Sequence, residues 1–269
     1  MTQDKGNRRP IAARSTALAR VAAGELARAG IGPDAISLAS LAFAVLAAVS
    51  LVLAPLVGSF FYLMAAIFVP LRLVANLLDG MVAVEHDRGG PLGPLYNELP
   101  DRAADVAILV AAGYAAGLVP GSGGAGSLAV FVGWLAALLA VLTAYVREFG
   151  CALGAPADFA GPFAKQQRMW AVIAGALIAL VLPRWAGVVL ALMLVVVCAG
   201  TAYTLYRRIM RLADFLHADA ARDVGTGAMA RAPHDDAEPD EDGANGDDAA
   251  RYRTSDSDGE GRTSSPRET

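Results

Sequence analysis

Three long apolar stretches, separated by short polar segments, occupy most of the first four-fifths of the chain. Residues 35–71 and 106–146 contain no charged side chain, and residues 169–206 contain only Arg184. A transmembrane helix needs about 20 apolar residues, so each stretch is long enough for two helices. Glycine, proline or serine residues near the middle of each stretch indicate a turn. The pattern predicts six transmembrane helices, at residues 35–56, 60–84, 100–119, 128–148, 167–183 and 186–207.

Lysine and arginine residues are concentrated in alternate loops. They occur in the amino-terminal segment, in the loops after the second and fourth predicted helices, and after the sixth, whereas the opposite side has only Arg184. Because basic loops remain on the cytoplasmic side of a membrane, both termini are predicted to be cytoplasmic. The chain is accordingly predicted to be a multi-pass protein of the cell's inner (cytoplasmic) membrane.

The two ends of the chain differ from its apolar middle. Residues 12–29 combine alanines with spaced arginines, which predicts an amphipathic helix lying in the membrane interface. Residues 219–269 contain 14 Asp or Glu and six Arg, so this segment carries −8 while the whole chain carries −4. Such a segment is predicted to be disordered, because it cannot bury enough apolar surface to fold. The predicted domains are a cytoplasmic amino terminus at 1–33, a membrane domain at 34–212 and an acidic tail at 213–269.

The composition agrees with an all-α integral membrane protein. Of the 269 residues, 55% are hydrophobic and 18% are charged, whereas soluble domains carry about 25% charged residues. This balance excludes an ordinary soluble enzyme and a nucleic-acid binder, and it makes the lipid bilayer the expected surroundings of the chain. Two cysteines cannot form the disulfide framework of a small secreted protein.

Polar residues interrupt the apolar pattern at the end of the second predicted span and at the start of the third. Ionisable residues within membrane spans are costly and usually functional. Helical spacing places those of each span on one face, and two such faces on helices joined by a short loop can form a pocket. The first face consists of Arg72, Asn76, Asp79 and Ala83, and the second of Asn97, Asp101 and Asp105.

The predicted pocket offers only oxygen ligands, which suit Mg²⁺ or Mn²⁺. Such ions bind pyrophosphates and neutralise charge as a phosphoryl group moves. Gly80 and Ala83 remove side-chain bulk beside Asp79, which would let a nucleotide or phosphate approach the helix backbone. The alternative is a structural polar contact between two helices.

The spacing of these residues resembles a known family signature. From Asn76 to Asp101 the chain reads Asn-x2-Asp-Gly-x2-Ala-x9-Gly-x3-Asn-x3-Asp. This resembles the signature of the CDP-alcohol phosphatidyltransferases, which is Asp-x2-Asp-Gly-x2-Ala-Arg-x8-Gly-x3-Asp-x3-Asp, and every interval matches. The chain departs from it at Asn76 and Asn97, which stand at the first and third Asp, and at Val84, which replaces the Arg.

The resemblance implies a fold, a reaction and partners. Members of this family have six spans, with the motif at the cytoplasmic ends of the second and third. They transfer a phosphatidyl-type group from a CDP-linked lipid, here CDP-diacylglycerol, to an alcohol acceptor in phospholipid biosynthesis, and they release CMP. A small CDP-alcohol with a lipid acceptor is the other arrangement in the family. The resemblance also implies a homodimer.

The family roles can be carried over to the matching positions. The resemblance implies that Asn76, Asp79 and Asn97 are metal ligands and that Asp101 is the general base or a shared ligand. Asn contributes a carbonyl oxygen but no charge, so the site would hold one or two Mg²⁺ or Mn²⁺ ions. Glu98 and Asp105 are candidates to restore the missing charge. The residues expected to contact the CDP-linked donor are Arg72, Gly80, Ala83 and Gly93.

Basic residues of the fourth loop are expected to lie on the same side of the membrane as the motif. They are Arg147, Lys165 and Arg168, and they fit either a phosphate on the acceptor alcohol or simple anchoring of a cytoplasmic loop. Arg72 also has two interpretations, since it could bind the phosphates of the donor or pair with an aspartate.

Two other functions remain compatible with the sequence. A catalytically weak or regulatory relative is one, and Asn76 and Asn97 are its support. A small ion-coupled transporter is the other, in which the aspartates would form an ion site at mid-membrane. The predicted position at the cytoplasmic span ends and the lack of repeated halves disfavour a transporter.

Overall fold

The computed structural model describes residues 17–85, 93–120 and 123–230, and all regular structure within them is helical. Two compact units divide at residue 224, the first Met1–Val224 and the second Gly225–Thr269. Of the second unit, only residues 225–230 are described, as the end of the last helix. The helices are α1 (Ala17–Arg28), α2 (Pro33–Val57), α3 (Phe60–Glu85), α4 (Gly93–Gly117), α5 (Gly123–Ala152), α6 (Lys165–Val181) and α7 (Ala186–Ala230), with a 3₁₀ turn at Pro183–Trp185.

Four of these helices are long and apolar enough to cross a membrane. Their spans are Pro33–Val57, Phe60–Ala83, Gly124–Ala152 and Pro183–Ala221. The other two predicted spans correspond to α4 and α6. The first half of α4 carries a cluster of charged residues, and α6 is only 17 residues long. The described chain is therefore an all-helical protein with four candidate membrane-spanning helices.

The local sequence explains where α1 ends and α2 begins. The end of α1 is marked by Gly30, whose φ of 80° suits a glycine, and the amide of Ile31 donates back to the carbonyl of Leu26 at 3.0 Å. Pro33 then begins α2, where a proline is tolerated in the first turn. The predicted interfacial helix corresponds to α1, and residues 12–16 of that prediction lie outside the described residues.

Glycines bring α4 and α5 into backbone contact. A Cβ added at Gly113 would lie 2.9 Å from the carbonyl oxygen of Ala129 and 3.0 Å from the Cα of Gly133, and one added at Gly117 would lie 2.9 Å from the carbonyl oxygen of Gly126. Small residues allow this close packing of helices in membranes, where dispersion and hydrogen bonding, not the hydrophobic effect, hold helices together. The contact fixes the position of α4, which carries the acidic residues of the motif.

The last helix extends past the predicted start of the acidic tail. The acidic tail was expected to begin at residue 213, but α7 continues to Ala230. Residues 212–224 contain neither glycine nor proline and are rich in alanine and leucine, which favours helix over that part of the segment. The remainder of the predicted tail, residues 231–269, lies outside the described residues.

Candidate active site

The polar faces of α3 and α4 lie next to each other, and the first residue of α6 joins them. The ammonium group of Lys165 contacts Oδ1 of Asn76 on α3 and Oδ1 of Asp101 on α4. Two positions of the motif that are 25 residues apart in sequence thus share one cation. The structure brings Asn76, Asp101 and Lys165 to a single point.

Asp79 is buried beside this point and is held by a residue that the sequence analysis missed. Its carboxylate is 2% exposed, and Oδ2 accepts a 2.7 Å hydrogen bond from the hydroxyl of Ser37 on α2. The amide nitrogen of Asn76 also lies 3.5 Å from Oδ2. Among the described residues, Oδ1 of Asp79 has no hydrogen-bond partner. Ser37 is one of three serines in α2, and nothing in the sequence distinguishes it from Ser40 and Ser50.

Arg72 pairs with two aspartates of α4. The side chain is fully buried, and its Nη2 lies 2.7 Å from Oδ1 of Asp101 and 2.6 Å from Oδ1 of Asp105. The same nitrogen donates to the main-chain carbonyl of Asp101 at 3.2 Å. A second hydroxyl of α2, that of Ser40, donates to the main-chain carbonyl of Arg72 at 3.1 Å. Of the two interpretations of Arg72, the structure therefore displays the aspartate pair.

Arg168 holds the other oxygen of Asp105. Its Nη2 lies 3.0 Å from Oδ2 of Asp105, and its Nη1 donates to the carbonyl of Phe163 at 3.1 Å and to the hydroxyl of Thr143 at 3.4 Å. Both carboxylate oxygens of Asp105 are thus occupied by guanidinium groups. Asp105 is a buried structural anion that ties α4 to α3 and α6.

The loop before α6 is fixed on α7, and this places Lys165 and Arg168. Gly161 lies so close to Thr204 that a Cβ would fall 2.2 Å from its methyl carbon, and the hydroxyl of Thr204 accepts a hydrogen bond from the amide of Phe163 at 3.1 Å. The ring of Phe163 packs against Gly200. These contacts let α6 begin with its basic residues directed to the motif.

A second group of charges lies at the edge of the site. Glu98 pairs with Arg102 at 2.5 Å and with Arg147 at 2.9 Å. The guanidinium of Arg147 also lies over the ring of Phe159, 5.1 Å from its centre. Glu98 therefore links α4 to the end of α5, and Arg102 joins Glu98 to Asp101, because its Nη2 also lies 3.4 Å from Oδ2 of Asp101.

Charges of both signs are buried together in this cluster. Asp101 and Asp105 pair with Arg72, Lys165 and Arg168, and Asp101 also lies 3.4 Å from Arg102. A buried charge without a partner is costly, and these pairs account for the stability of so polar a cluster among apolar helices. Removing one partner of such a pair leaves a buried charge uncompensated.

The remaining predicted residues have less defined surroundings. Gly80 and Ala83 are half-buried on α3, one and four positions after Asp79. Gly93 begins α4, and a Cβ added there would meet nothing within 4 Å, so open space lies beside it. The side chain of Asn97 lies outside the described residues, and its role as a ligand stays a prediction.

A cavity of about 400 Å³ opens beside Arg147. It lies between the end of α5, the loop that follows and α7, and it is lined by apolar side chains together with Asp158, Arg208 and Arg211. Arg208 donates to the carbonyl of Thr143 at 2.6 Å, and Arg211 pairs with Asp158 at 3.1 Å. Arg208 and Arg211 belong to the basic segment after the last predicted span, where no sequence pattern distinguishes a site residue from a residue that anchors a cytoplasmic segment.

Solved structures with the same fold are found, although no protein-family model and no curated protein matches the chain. The phosphatidylinositol phosphate synthase of Mycobacterium tuberculosis with CDP-DAG bound matches with a TM-score of 0.59 and 19% identity, covering 73% of this chain and 94% of that chain. Its complex with manganese and citrate matches with 0.58 and 20%, covering 72% and 88%. Its apo form matches with 0.51 and 22%, covering 71% and 95%.

The sequence resemblance and the fold agree. The structural neighbours are a CDP-alcohol phosphatidyltransferase, the family whose signature spacing runs from Asn76 to Asp101. At 19–22% identity the likeness concerns the architecture of the helices. The protein therefore has the fold of the CDP-alcohol phosphatidyltransferases.

Proposed function

We propose that this protein is a membrane transferase that moves a phosphatidyl-type group from a CDP-linked lipid to an alcohol, with release of CMP. The main support is that Lys165 contacts both Asn76 and Asp101. Through this shared contact the two halves of the signature, on α3 and α4, come together at one site. A structural neighbour bound to CDP-DAG supports a CDP-lipid, CDP-diacylglycerol, as the donor. The acyl chains of the donor would stay in the bilayer while its pyrophosphate enters the pocket.

Asp101 is the proposed general base. Its Oδ1 already carries Arg72 and Lys165, whereas the nearest cation to Oδ2 is Arg102 at 3.4 Å. Oδ2 is therefore the oxygen that takes the proton from the acceptor hydroxyl. The acceptor oxygen forms a bond to the β-phosphorus of the donor, the bond between that phosphorus and the bridging oxygen breaks, and the bridging oxygen leaves as part of CMP.

The donor set fits a divalent cation in its chemistry. Asp79 offers an unpartnered buried carboxylate oxygen, the type of ligand that hard cations prefer, while the nearby side-chain oxygens of Asn76 and Asp101 contact Lys165. No three Asp, Glu, His or Cys side chains converge as metal ligands in the part of the chain that the structure describes. A structural neighbour in complex with manganese supports Mg²⁺ or Mn²⁺ as the ion. When bound, the ion would neutralise the charge of the pyrophosphate.

The acceptor would approach from the cavity beside Arg147. Arg147, Arg208 and Arg211 give this cavity a basic lining, which suits an alcohol that carries a phosphate. Lys165 and Arg168 are engaged with Asp101 and Asp105, so their proposed share in acceptor binding is indirect.

We propose the inner membrane as the location, with six spans and both termini in the cytoplasm. The short or charged helices α4 and α6 would complete the six spans when packed among the four apolar ones, because burial inside the bundle shields their polar residues from lipid. A homodimer is proposed on the family resemblance alone.

A catalytically weak or regulatory relative is the second candidate. Its support is that Asp101 and Asp105 are already paired with cations and that the metal-ligand positions include the neutral Asn76. Such a protein would bind a CDP-lipid and release no CMP.

One experiment separates these candidates. Purified protein in lipid nanodiscs is incubated with CDP-diacylglycerol, Mg²⁺ or Mn²⁺ and a panel of alcohols with and without phosphate, and CMP and new lipids are measured by mass spectrometry. We expect metal-dependent CMP release together with one new phospholipid, and loss of both with Asp101→Asn. CDP-diacylglycerol binding without CMP release from any acceptor would contradict the transferase and favour the regulatory relative.

A further inference from the structure

We propose that the Lys165 ammonium is a built-in cation of this pocket, and that the pocket consequently binds one divalent ion, at Asp79. The inference deepens the proposed function and rests on it, since it concerns the ion used at the same site. Its observations are the two contacts of Lys165, the hydrogen bonds of Asn76 and the unpartnered oxygen of Asp79.

The amide of Asn76 faces a partner on each side without a metal, although only its oxygen is in close contact. Its nitrogen faces Oδ2 of Asp79 at 3.5 Å, and its oxygen accepts from Lys165. An aspartate at this position could accept from Lys165, but it would place a second carboxylate against Asp79, and only a cation between them would make that arrangement favourable. Because Asn76 is neutral where an aspartate would be charged, no ion is needed between residues 76 and 79.

Lys165 occupies the place where a cation would join α3 to α4. Its side chain is only 10% exposed and lies on oxygens of both helices. A divalent ion bound between Asn76 and Asp101 would have to displace the ammonium and leave it buried without an anion. This cost is high, because a buried charge that loses its partner is strongly destabilising.

The Asp79 side differs, because an oxygen is available there. Oδ1 of Asp79 is buried and has no partner among the described residues, while Oδ2 is oriented by Ser37. One divalent ion at this oxygen would satisfy it without breaking any contact of Lys165. The pocket thus combines one free ligand oxygen with one protein ammonium.

The test counts bound ions without using activity. Mn²⁺ is titrated into wild-type protein in nanodiscs, and free Mn²⁺ is followed by electron paramagnetic resonance. We expect one Mn²⁺ per chain in the wild type and in Asn76→Asp, because Lys165 still occupies its place. Lys165→Met should tighten binding of the single ion by about 10-fold, since a positive charge is removed. Lys165→Arg, the matched control, should keep both the count and the affinity.

The double variant Asn76→Asp/Lys165→Met should bind two ions. Two ions or none in the wild type, two in Asn76→Asp alone, or an unchanged affinity in a folded Lys165→Met would each overturn the proposal. If the Met variants do not fold, the wild-type count still decides it. One bound ion together with no CMP release would support the single-ion site and contradict the proposed transferase. Two bound ions together with CMP release would support the transferase and contradict the single-ion site.

Discussion

Arg168 and Asp105 form an ion pair in which both side chains are almost completely buried, with Nη2 of Arg168 3.0 Å from Oδ2 of Asp105. Because Arg72 takes the other oxygen of the same carboxylate at 2.6 Å, both oxygens of Asp105 are engaged by buried guanidinium groups. Asp101 differs in that the cation nearest its Oδ2, Arg102, is 3.4 Å away, which is why we propose Asp101 and not Asp105 as the base.

Asp105→Asn should therefore act on stability. Removing one partner of a buried pair costs about 3–5 kcal/mol, because it leaves buried charge uncompensated. The measurement is the thermal unfolding midpoint in nanodiscs. Asp158→Asn is the matched control, since Asp158 pairs with Arg211 in a more exposed position, and such pairs contribute about 0–1 kcal/mol. A well-folded Asp105→Asn protein with strongly reduced CMP release would mean that Asp105, and not Asp101, is the base.

Asp101→Asn and Asp79→Asn should each lower CMP release by at least about 100-fold, the scale of general-base loss. Asp101 would lose the oxygen that accepts the proton, and Asp79 would lose the unpartnered oxygen offered to the ion. The rate is measured on folded protein at saturating Mn²⁺. Normal CMP release from both folded variants would contradict the transferase mechanism.

Ser37→Ala should weaken Mn²⁺ binding without unfolding the protein. Ser37 orients Asp79 through a 2.7 Å hydrogen bond, and loss of such a supporting hydrogen bond typically costs 10–100-fold in metal affinity. Ser50→Ala is the matched control, because Ser50 lies on the same helix and bonds only to the carbonyl of Leu46. Equal Mn²⁺ affinity in the two variants would remove Ser37 from the site.

Gly113→Ala should destabilise the protein by about 1–3 kcal/mol, the usual cost of overpacking. The added methyl would fall 2.9 Å from the carbonyl oxygen of Ala129, which is main chain and cannot rotate away. Gly124→Ala is the control, since a Cβ there meets nothing within 4 Å. If the unfolding midpoint of Gly113→Ala equals or exceeds that of Gly124→Ala, the close contact between α4 and α5 is contradicted.

The proposed topology predicts that residues 122 and 166 lie on opposite sides of the membrane. Single cysteines introduced by Ser122→Cys and Gln166→Cys, in a background lacking Cys151 and Cys198, are labelled in intact cells with a membrane-impermeant reagent. We expect labelling at 122 and protection at 166. Labelling of both would remove an odd number of spans between them.

Helical spacing predicts which acids share a face of their helix, but it does not predict the cations with which they pair. Four apolar spans and the shared faces of Asn76 with Asp79 and of Asp101 with Asp105 follow from periodicity alone. The partners of these acids do not, because Arg72 and Asp105 are 33 positions apart and Arg168 and Asp105 are 63 apart. Such pairs depend on how helices rotate against each other, which no local pattern records.

The extent of α7 and the part played by Ser37 were missed for different reasons. The acidic composition of the tail concealed the helix-forming residues before Ala230. The role of Ser37 could not be predicted, because it depends on a hydrogen bond to Asp79, which is 42 positions away in the sequence. The side chain of Asn97 remains a prediction.

The contact between Gly113 and Gly133 is made by main-chain atoms and carries no side chain that could change its rotamer. The spacing between α4 and α5 at this point is therefore set by the geometry of two backbones. Replacing side chains that face away from the contact leaves that spacing unchanged. Substitutions elsewhere on the two helices can consequently accumulate without moving the part of α4 that follows Asp101 and Asp105.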